Sequence, residues 1–266
     1  MKKINWTQWI ALFVFASMGI SVVFTIYEIF TAPIKQPATG PHVTLRGDYI
    51  FLLFEIILGI FILLLPSIIA RRFKFEIPGL VYILFIVFLY GSIYLGTVQK
   101  FYSTVPHWDK ILHTFSGAML GAIGFSFVSL LNSNDKVVMK LKPGFIAVFA
   151  FCFAVTMGAF WEVYEYTFDG IMNLNMQRYN LSNGTPLTGR AALEDTMTDI
   201  IVDIIGALFI VIVGYFALKK GRPWMERFEF KRKNWKKNQR KNKSKKHLRT
   251  WRCFFSCTNT PTNLGL

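Results

Sequence analysis

The sequence predicts an all-α polytopic membrane helix bundle with about six transmembrane helices. Hydrophobic residues make up 53% of the 266 residues, and the mean hydropathy is +0.40 although the last quarter is strongly polar. The apolar residues are therefore gathered into long runs. Each of six runs has the ~20 residues that a helix needs to cross ~30 Å of hydrocarbon. Helix is the predicted form because an open strand would leave backbone groups unpaired in lipid.

The six predicted spans follow one another along the first 218 residues. They cover residues 9–30, 50–70, 80–98, 111–131, 145–166 and 198–218. Lys2 and Lys3 before the first run are also typical of a cleaved signal peptide. That run is longer than the ~7–15 apolar residues of such peptides, and no small-residue cleavage site closes it. We therefore interpret the first run as a retained span.

Basic residues alternate between the loops and predict the orientation. Three lie between spans two and three, three between spans four and five, and 16 of the 30 follow Leu218. The loops on the other side hold two each, namely Lys35 and Arg46, Lys100 and Lys110, and Arg178 and Arg190. Cytoplasmic loops are enriched in Lys and Arg. We therefore expect a multi-pass protein of a bacterial plasma membrane with both termini in the cytoplasm.

Composition divides the chain into a transmembrane domain, residues 1–218, and a basic cytoplasmic tail, residues 219–266. The tail is expected to anchor the orientation and to contact anionic lipid, since each basic residue near the surface contributes about 1 kcal/mol. No nucleic-acid motif accompanies the charge, so no nucleic-acid partner is expected. No function is assigned to residues 253–266.

Carboxylates concentrate toward the opposite side. With this orientation, eleven of the fifteen acids lie on the outer side or in the outer half of a span, against six basic residues in the outer loops. Many are three or four residues apart and so share one helix face. Three successive helices thus carry polar stripes at one depth. The stripes are Asp109 and His113; Glu162, Glu165 and Asp169; and Asp195, Asp199 and Asp203.

A glycine extends each stripe toward the membrane centre. Gly117 follows His113 by four residues, Gly158 precedes Glu162 by four, and Gly206 follows Asp203 by three. Small residues let membrane helices approach closely. We infer that spans four, five and six converge just below the acidic stripes.

The stripes predict a binding site for a cation or a substrate. Carboxylates in lipid repel one another unless protons or a cation neutralise them, and oxygen ligands with one histidine suit Mg²⁺, Mn²⁺, Ca²⁺ or Zn²⁺. The alternative is a hydrogen-bonded polar plug that holds the bundle together. Glu28 and Glu55 are further candidates from other spans. The candidate metal ligands are His113, Glu162, Glu165, Asp195, Asp199 and Asp203, and the candidate catalytic residues are Asp109, His113, Glu162 and Glu165.

The motifs resemble those of a known bacterial group. Asp109-Lys-Ile-Leu-His113, Trp161-Glu-Val-Tyr-Glu165 and Asp195-Thr-Met-Thr-Asp199-Ile-Ile-Val-Asp203 look like the YjdF-like inner-membrane proteins, over about residues 48–214. The layout is more distantly similar to VanZ-like membrane proteins, which carry Gln where Glu165 stands and Asn where Asp203 stands. The resemblance implies a membrane location and supports the choice of stripe residues, without implying a reaction.

Three functions fit these observations. The first is a metal-dependent enzyme on a lipid or cell-envelope substrate at the outer leaflet. The second is a cation- or proton-coupled transporter, although no inverted repeat is visible and the acids lie near one face rather than at the midplane. The third is a non-catalytic envelope or resistance factor, for which the VanZ likeness is the argument.

Overall fold

The computed structural model describes residues 6–35, 43–132, 141–181, 184–220 and 231–232. The chain divides into two units at residues 231 and 232, and the helices described here belong to the first. Phe75–Glu76 (β1) and Lys231–Arg232 (β2) are strands of two residues. Within these ranges the α-helices are α1 (Trp6–Thr31), α2 (Arg46–Phe73), α3 (Gly79–Leu89), α4 (Phe101–Thr104), α5 (Trp108–Asn132), α6 (Pro143–Met172) and α7 (Arg190–Lys219).

Six helical segments are long and apolar enough to cross a membrane, which confirms the predicted polytopic all-α bundle. Each of the first three and last two covers its predicted span, and α5 contains the fourth. The third reaches this length because α3 continues as a nine-residue π-helix, Tyr90–Val98. The sequence analysis predicted one regular helix there. The segments are Trp6–Thr31, Arg46–Phe73, Gly79–Val98, Trp108–Val128, Pro143–Met172 and Arg190–Lys219.

The π-helix holds the start of α5 in place. The indole N–H of Trp108 donates to the Gly91 carbonyl at 3.1 Å, and the hydroxyls of Ser92 and Tyr102 are 3.1 Å apart. A side chain at Gly96 would collide with the Tyr102 ring. Burial raises the pKa of Tyr102, so its hydroxyl stays protonated. Rare π-helical turns often lie next to functional sites, and this one positions the first turn of α5.

The spans pack in two groups of different composition. The N-terminal group, α1, α2 and α3 with its π-helix, encloses large aliphatic side chains, among them Met18, Ile56 and Leu63. The C-terminal group, α5, α6 and α7, packs around smaller residues such as Ala147 and Ala150. Within the C-terminal group α5 lies against both α6 and α7 over most of its length. The polar stripes all belong to this second group.

Outward-facing side chains on both groups are apolar, as expected of a surface covered by lipid. Phe13, Phe61, Phe145 and Phe209 are each more than half exposed. The six spans and this apolar surface place the protein in a lipid bilayer. The predicted basic tail, apart from residues 219–220 and 231–232, lies outside the described residues, so its boundary and its lipid contacts stay predictions.

Candidate metal centre

The polar stripes meet at one end of the C-terminal group. Helices α5 and α7 begin there and α6 ends there, which follows from their alternating direction across the membrane. Asp109 lies in the first turn of α5, where the helix dipole favours a negative charge. Six ionisable residues here are only 1–7% exposed: His113, Glu162, Glu165, Asp169, Asp199 and Asp203.

Glycines allow the three helices to come together beneath these groups. A Cβ atom at Gly117 would collide with the backbone carbonyl of Asp203, and one at Gly206 would collide with that of Thr114. A Cβ at Gly158 would lie 2.6 Å from Oδ2 of Asp203. The helices thus converge at the positions that the glycine spacing indicated, and Asp203 is enclosed by α5 and α6.

Three donor atoms from α5 and α7 face one another. Nε2 of His113 is 3.9 Å from Oδ1 of Asp109 and 3.8 Å from Oδ1 of Asp199. One ligand atom from each of the three residues can be chosen so that all three atoms lie within 4.8 Å of one another. These separations exceed hydrogen-bonding distance. A divalent cation bound at about 2.1–2.4 Å from each donor holds neighbouring donors roughly 3–4 Å apart, so the three side chains fit such an ion.

The other ring nitrogen of His113 orients the imidazole. Nδ1 lies 3.2 Å from Oδ2 of Asp203, and the hydroxyl of Ser116 donates to Oδ1 of Asp203 at 2.9 Å. Ligating histidines commonly bind a carboxylate through the second nitrogen, which fixes the ring and its tautomer. Asp203, predicted as a metal ligand, therefore lies behind His113 rather than among the facing donors.

A lysine from α5 pairs with the acids of α7. Nζ of Lys110 donates to Oδ1 of Asp195 at 2.6 Å and to Oδ2 of Asp199 at 2.7 Å, and it lies 3.6 Å from Asp109. By its sequence position Lys110 counts as a loop charge, because that position does not indicate the direction of its side chain. Each of these two α7 acids uses one oxygen for the lysine. Across the described residues, the other oxygens, Oδ2 of Asp195 and Oδ1 of Asp199, have no hydrogen-bond partner.

The connection from α6 to α7 folds back over the acids. The carboxylate of Asp169 accepts the backbone N–H groups of Met176 and Gln177 at 2.8 and 3.0 Å. The amide of Gln177 donates to Oγ1 of Thr196 at 2.8 Å and to Oε2 of Glu162 at 3.3 Å. Asp169 thus shapes this connection. No regular periodicity marks a returning loop, so the sequence analysis missed Gln177.

This loop also delivers an arginine to the cluster. Arg178 has a positive φ of 49°, and its guanidinium lies 3.6 Å from Oδ2 of Asp109 and 3.7 Å from Oδ1 of Asp195. Its side chain is 42% exposed, whereas those of its two partners are 15% and 12% exposed. Arg178 is therefore the outermost charged group of the cluster. The sequence analysis counted it only as a loop charge.

Two glutamates of α6 complete the acidic surface. Oε1 of Glu165 accepts the indole N–H of Trp161 at 2.8 Å, and Glu165 interacts electrostatically with Asp109 and His113. Glu162 also interacts electrostatically with His113, and its Oε1 has no hydrogen-bond partner in the described ranges. The group of ligand atoms that lie within 4.8 Å of one another includes neither Glu162 nor Glu165. Glu162 therefore contributes a buried carboxylate oxygen on the α6 side of the cluster rather than a fourth facing donor.

The acids of the other spans have separate surroundings. Glu28 on α1 is close enough to Tyr49 on α2 to interact with it electrostatically. Glu55 on α2 is close enough to Tyr102 and Tyr164 to interact with them electrostatically. No contact in the described residues joins either glutamate to His113, and neither is included in the candidate centre.

Comparison with known proteins identifies the family. A family model described as "Predicted membrane protein (DUF2238)" matches residues 45–220, roughly two thirds of the chain. An uncharacterized protein of Thermotoga maritima is 32% identical over 129 residues, which cover 48% of this chain and 57% of that protein. The chain thus spans little more than half the length of that relative. No solved structure matches. The chain belongs to the DUF2238 family of predicted membrane proteins.

Proposed function

We propose that this member of a predicted membrane protein family is a metal-dependent enzyme that acts on a lipid or cell-envelope substrate. The observation that supports this most directly is the group of facing donors on Asp109, His113 and Asp199. The buried Oδ1 of Asp199 has no other polar partner among the described residues, although an unsatisfied buried carboxylate oxygen is costly. A cation among these donors would satisfy it. We also propose that the chain is related to the YjdF-like proteins, whose motifs it resembles.

The side chains suggest separate roles. Asp109, His113 and Asp199 would hold a divalent cation, and Asp203 would orient His113. Such a cation can activate a water molecule and stabilise developing negative charge. Because His113 uses one nitrogen for Asp203 and the other for the ion, it is not free to act as a base. Glu162, with its free Oε1, is the proposed general base, and Glu165 is a neighbouring acid whose position Trp161 fixes.

The orientation of the protein in the membrane determines from which side of the membrane a substrate reaches the centre. The alternation of basic loops supports a centre that faces outward with both termini in the cytoplasm. Reporter fusions at Asn183 and at Lys219 test this part of the proposal. We expect activity typical of the outer side at Asn183 and of the cytoplasm at Lys219. The reverse pattern would place the centre at the cytoplasmic face and remove the outer-leaflet substrate.

Metal binding is the direct test. The protein purified in detergent is titrated with Mn²⁺, and its melting temperature is measured with and without a chelator. A ligand at a hundred times its dissociation constant stabilises by about 2.7 kcal/mol, which corresponds to roughly 5–10 °C for a chain of this size. We expect Asp199→Asn to weaken Mn²⁺ binding at least tenfold by removing a ligand charge (~1.4 kcal/mol). Glu194→Gln changes an exposed acid on the same helix and should leave binding unchanged.

The polar plug predicts a different result. If hydrogen bonds and the ion pairs of Lys110 are sufficient, a chelator leaves the melting curve unchanged at a pH where the carboxylates are ionised. In that case Asp199→Asn and Glu165→Gln are harmless or stabilising, since each removes like-charge repulsion. This outcome would reject the metal centre and, with it, the proposed enzyme.

A further inference from the structure

We propose that Arg178 and Lys110 recognise a phosphate group, so that the substrate of the centre is a phosphate-bearing molecule. This inference rests on the proposed cation centre and names its substrate class. Arg178 lies outside the buried acids, and Lys110 lies among them. Both cations lie within 3.7 Å of the same two oxygens, Oδ2 of Asp109 and Oδ1 of Asp195. Their positive charges therefore converge at one place beside the facing donors, where a single anion can contact both.

Among the residues that the structure describes, the guanidinium of Arg178 makes ion pairs and no hydrogen bond. Its distances of 3.6 and 3.7 Å to Asp109 and Asp195 are ion-pair distances, longer than the 2.7–3.2 Å of an N–H···O hydrogen bond. A guanidinium presents five N–H donors in a planar fork that matches phosphate oxygens. A guanidinium whose purpose was to neutralise these two acids would gain more by approaching one of them closely.

The backbone holds Arg178 at this place. Two backbone N–H groups that precede it bind Asp169, and the side chain of Gln177 binds Thr196 on α7. Arg178 itself adopts the left-handed conformation at φ 49°. That conformation is unfavourable for a residue with a side chain and persists where the surrounding structure enforces it, commonly at ligand sites. The loop thus fixes Arg178 over the acids.

A divalent cation would make the centre suitable for an anion. Three protein donors leave coordination positions of the ion open, as in catalytic metal sites. Once the ion neutralises Asp109 and Asp199, their attraction for Arg178 and Lys110 falls. A phosphate has at least two terminal oxygens and a tetrahedral shape, so it can bind the ion and both cations together. A carboxylate has two oxygens in one plane and reaches fewer of these groups.

Phosphate binding to the Mn²⁺-loaded full-length protein in detergent tests the inference. Inorganic phosphate should raise the melting temperature and tighten Mn²⁺ binding in the wild type. In Arg178→Gln we expect phosphate binding to weaken at least tenfold, the scale of one charge-assisted contact, with partial recovery in Arg178→Lys. Mn²⁺ binding without phosphate should be unchanged or tighter in Arg178→Gln, because a positive charge has been removed.

The controls separate this inference from the proposed function. Arg190→Gln removes an exposed arginine at the start of α7 and should bind phosphate as the wild type does. Normal Mn²⁺ binding with no phosphate effect, an equal effect of acetate, or full phosphate binding by Arg178→Gln would each overturn phosphate recognition and leave the cation centre in place. Failure of the wild type to bind Mn²⁺ would overturn both.

A second measurement distinguishes a lipid headgroup from free phosphate. Mixed micelles that contain phosphatidic acid are compared with inorganic phosphate, and micelles that contain diacylglycerol serve as the control without phosphate. Binding of phosphatidic acid at a lower concentration than inorganic phosphate, lost in Arg178→Gln, supports a lipid substrate. Equal affinities for the two, again lost in that variant, support a soluble phosphate compound. Binding of diacylglycerol as tight as that of phosphatidic acid would contradict phosphate recognition.

Discussion

The two groups of spans solve the problem of packing in lipid differently. The interior of the N-terminal group is filled by Met18, Ile56 and Leu63. The side chains of these residues make the contacts between its helices. The C-terminal group instead brings backbones together at glycines and buries ionisable side chains above them. Lipid tails are as apolar as leucine, so aliphatic contact gives little net drive between membrane helices. Close backbone contacts and polar contacts therefore define the arrangement of the C-terminal helices more specifically than aliphatic packing defines that of the N-terminal helices.

The glycines show the same difference on a smaller scale. A Cβ atom at Gly59 on α2 would meet the side-chain ends of Ile93 and Met18, which can rotate away. A Cβ atom at Gly206 on α7 would meet the backbone of Thr114, which cannot. One group thus tolerates adjustment, whereas the other holds its charged groups in a fixed arrangement, which a metal or catalytic site requires.

The largest expected effect comes from Lys110. Lys110→Met leaves the buried Asp199 without its cation and leaves Asp195 with Arg178 alone, at 3.7 Å. Breaking a buried ion pair from one side costs about 3 kcal/mol or more. We expect a large fall in the melting temperature in detergent. Asp199→Asn in the same chain should restore part of the loss, because it removes one of the two repelling charges. A purely additive double variant would show that Lys110 is not coupled to Asp199.

The second-largest expected effect is the loss of stability when a glycine at a helix contact becomes alanine, compared between two positions. Gly206→Ala should destabilise the protein by about 2 kcal/mol, since an extra methyl group at a backbone contact forces α5 and α7 apart. Gly59→Ala should cost less than half as much because Ile93 and Met18 can move. Gly19→Ala, with nothing within 4 Å of the added atom, gives the baseline in the same thermal unfolding assay. Equal losses at positions 206 and 59 would contradict the contrast between the groups.

The orientation of His113 should affect cation binding more than stability. Asp203→Asn keeps the shape of the side chain but weakens the contact with Nδ1, and such changes behind a ligand typically lower metal affinity by about 10–100-fold. Titration with Mn²⁺ measures the loss. Asp48→Asn, at the start of α2 in the other group, is the matched control. Unchanged affinity in Asp203→Asn would mean that His113 does not bind the ion through Nε2.

The smallest effect belongs to the aliphatic core. Ile86 is fully buried in the N-terminal group, and Ile86→Val removes one methylene, at a cost of about 1 kcal/mol. Cation affinity should not change, because the small cavity that this substitution creates lies in the N-terminal group, which carries none of the acidic stripes. A parallel loss of Mn²⁺ binding would show that the two groups are coupled more strongly than their separate interiors indicate.

Features that depend on neighbouring residues along the chain can be predicted from the amino-acid sequence. Run length fixed the six spans, because crossing the hydrocarbon requires ~20 apolar residues wherever they occur. Spacing of three and four fixed which acids share a helix face, and thus the three stripes. The π-helix at Tyr90–Val98 could not be predicted in this way, because its run of apolar residues is the same as that of an ordinary α-helical span.

Tertiary structure decided which atoms meet. Lys110 and Asp199 are 89 residues apart, and their contact depends on how α5 and α7 rotate about their own axes, which helical periodicity leaves free. The same rotation sets Asp203 behind His113 and leaves Oδ1 of Asp199 facing the two other donors. The return of Arg178 depends on backbone hydrogen bonds to Asp169, which form only after α6 has ended and the chain has turned. Such contacts are properties of the packed helices, so no local pattern in the sequence encodes them.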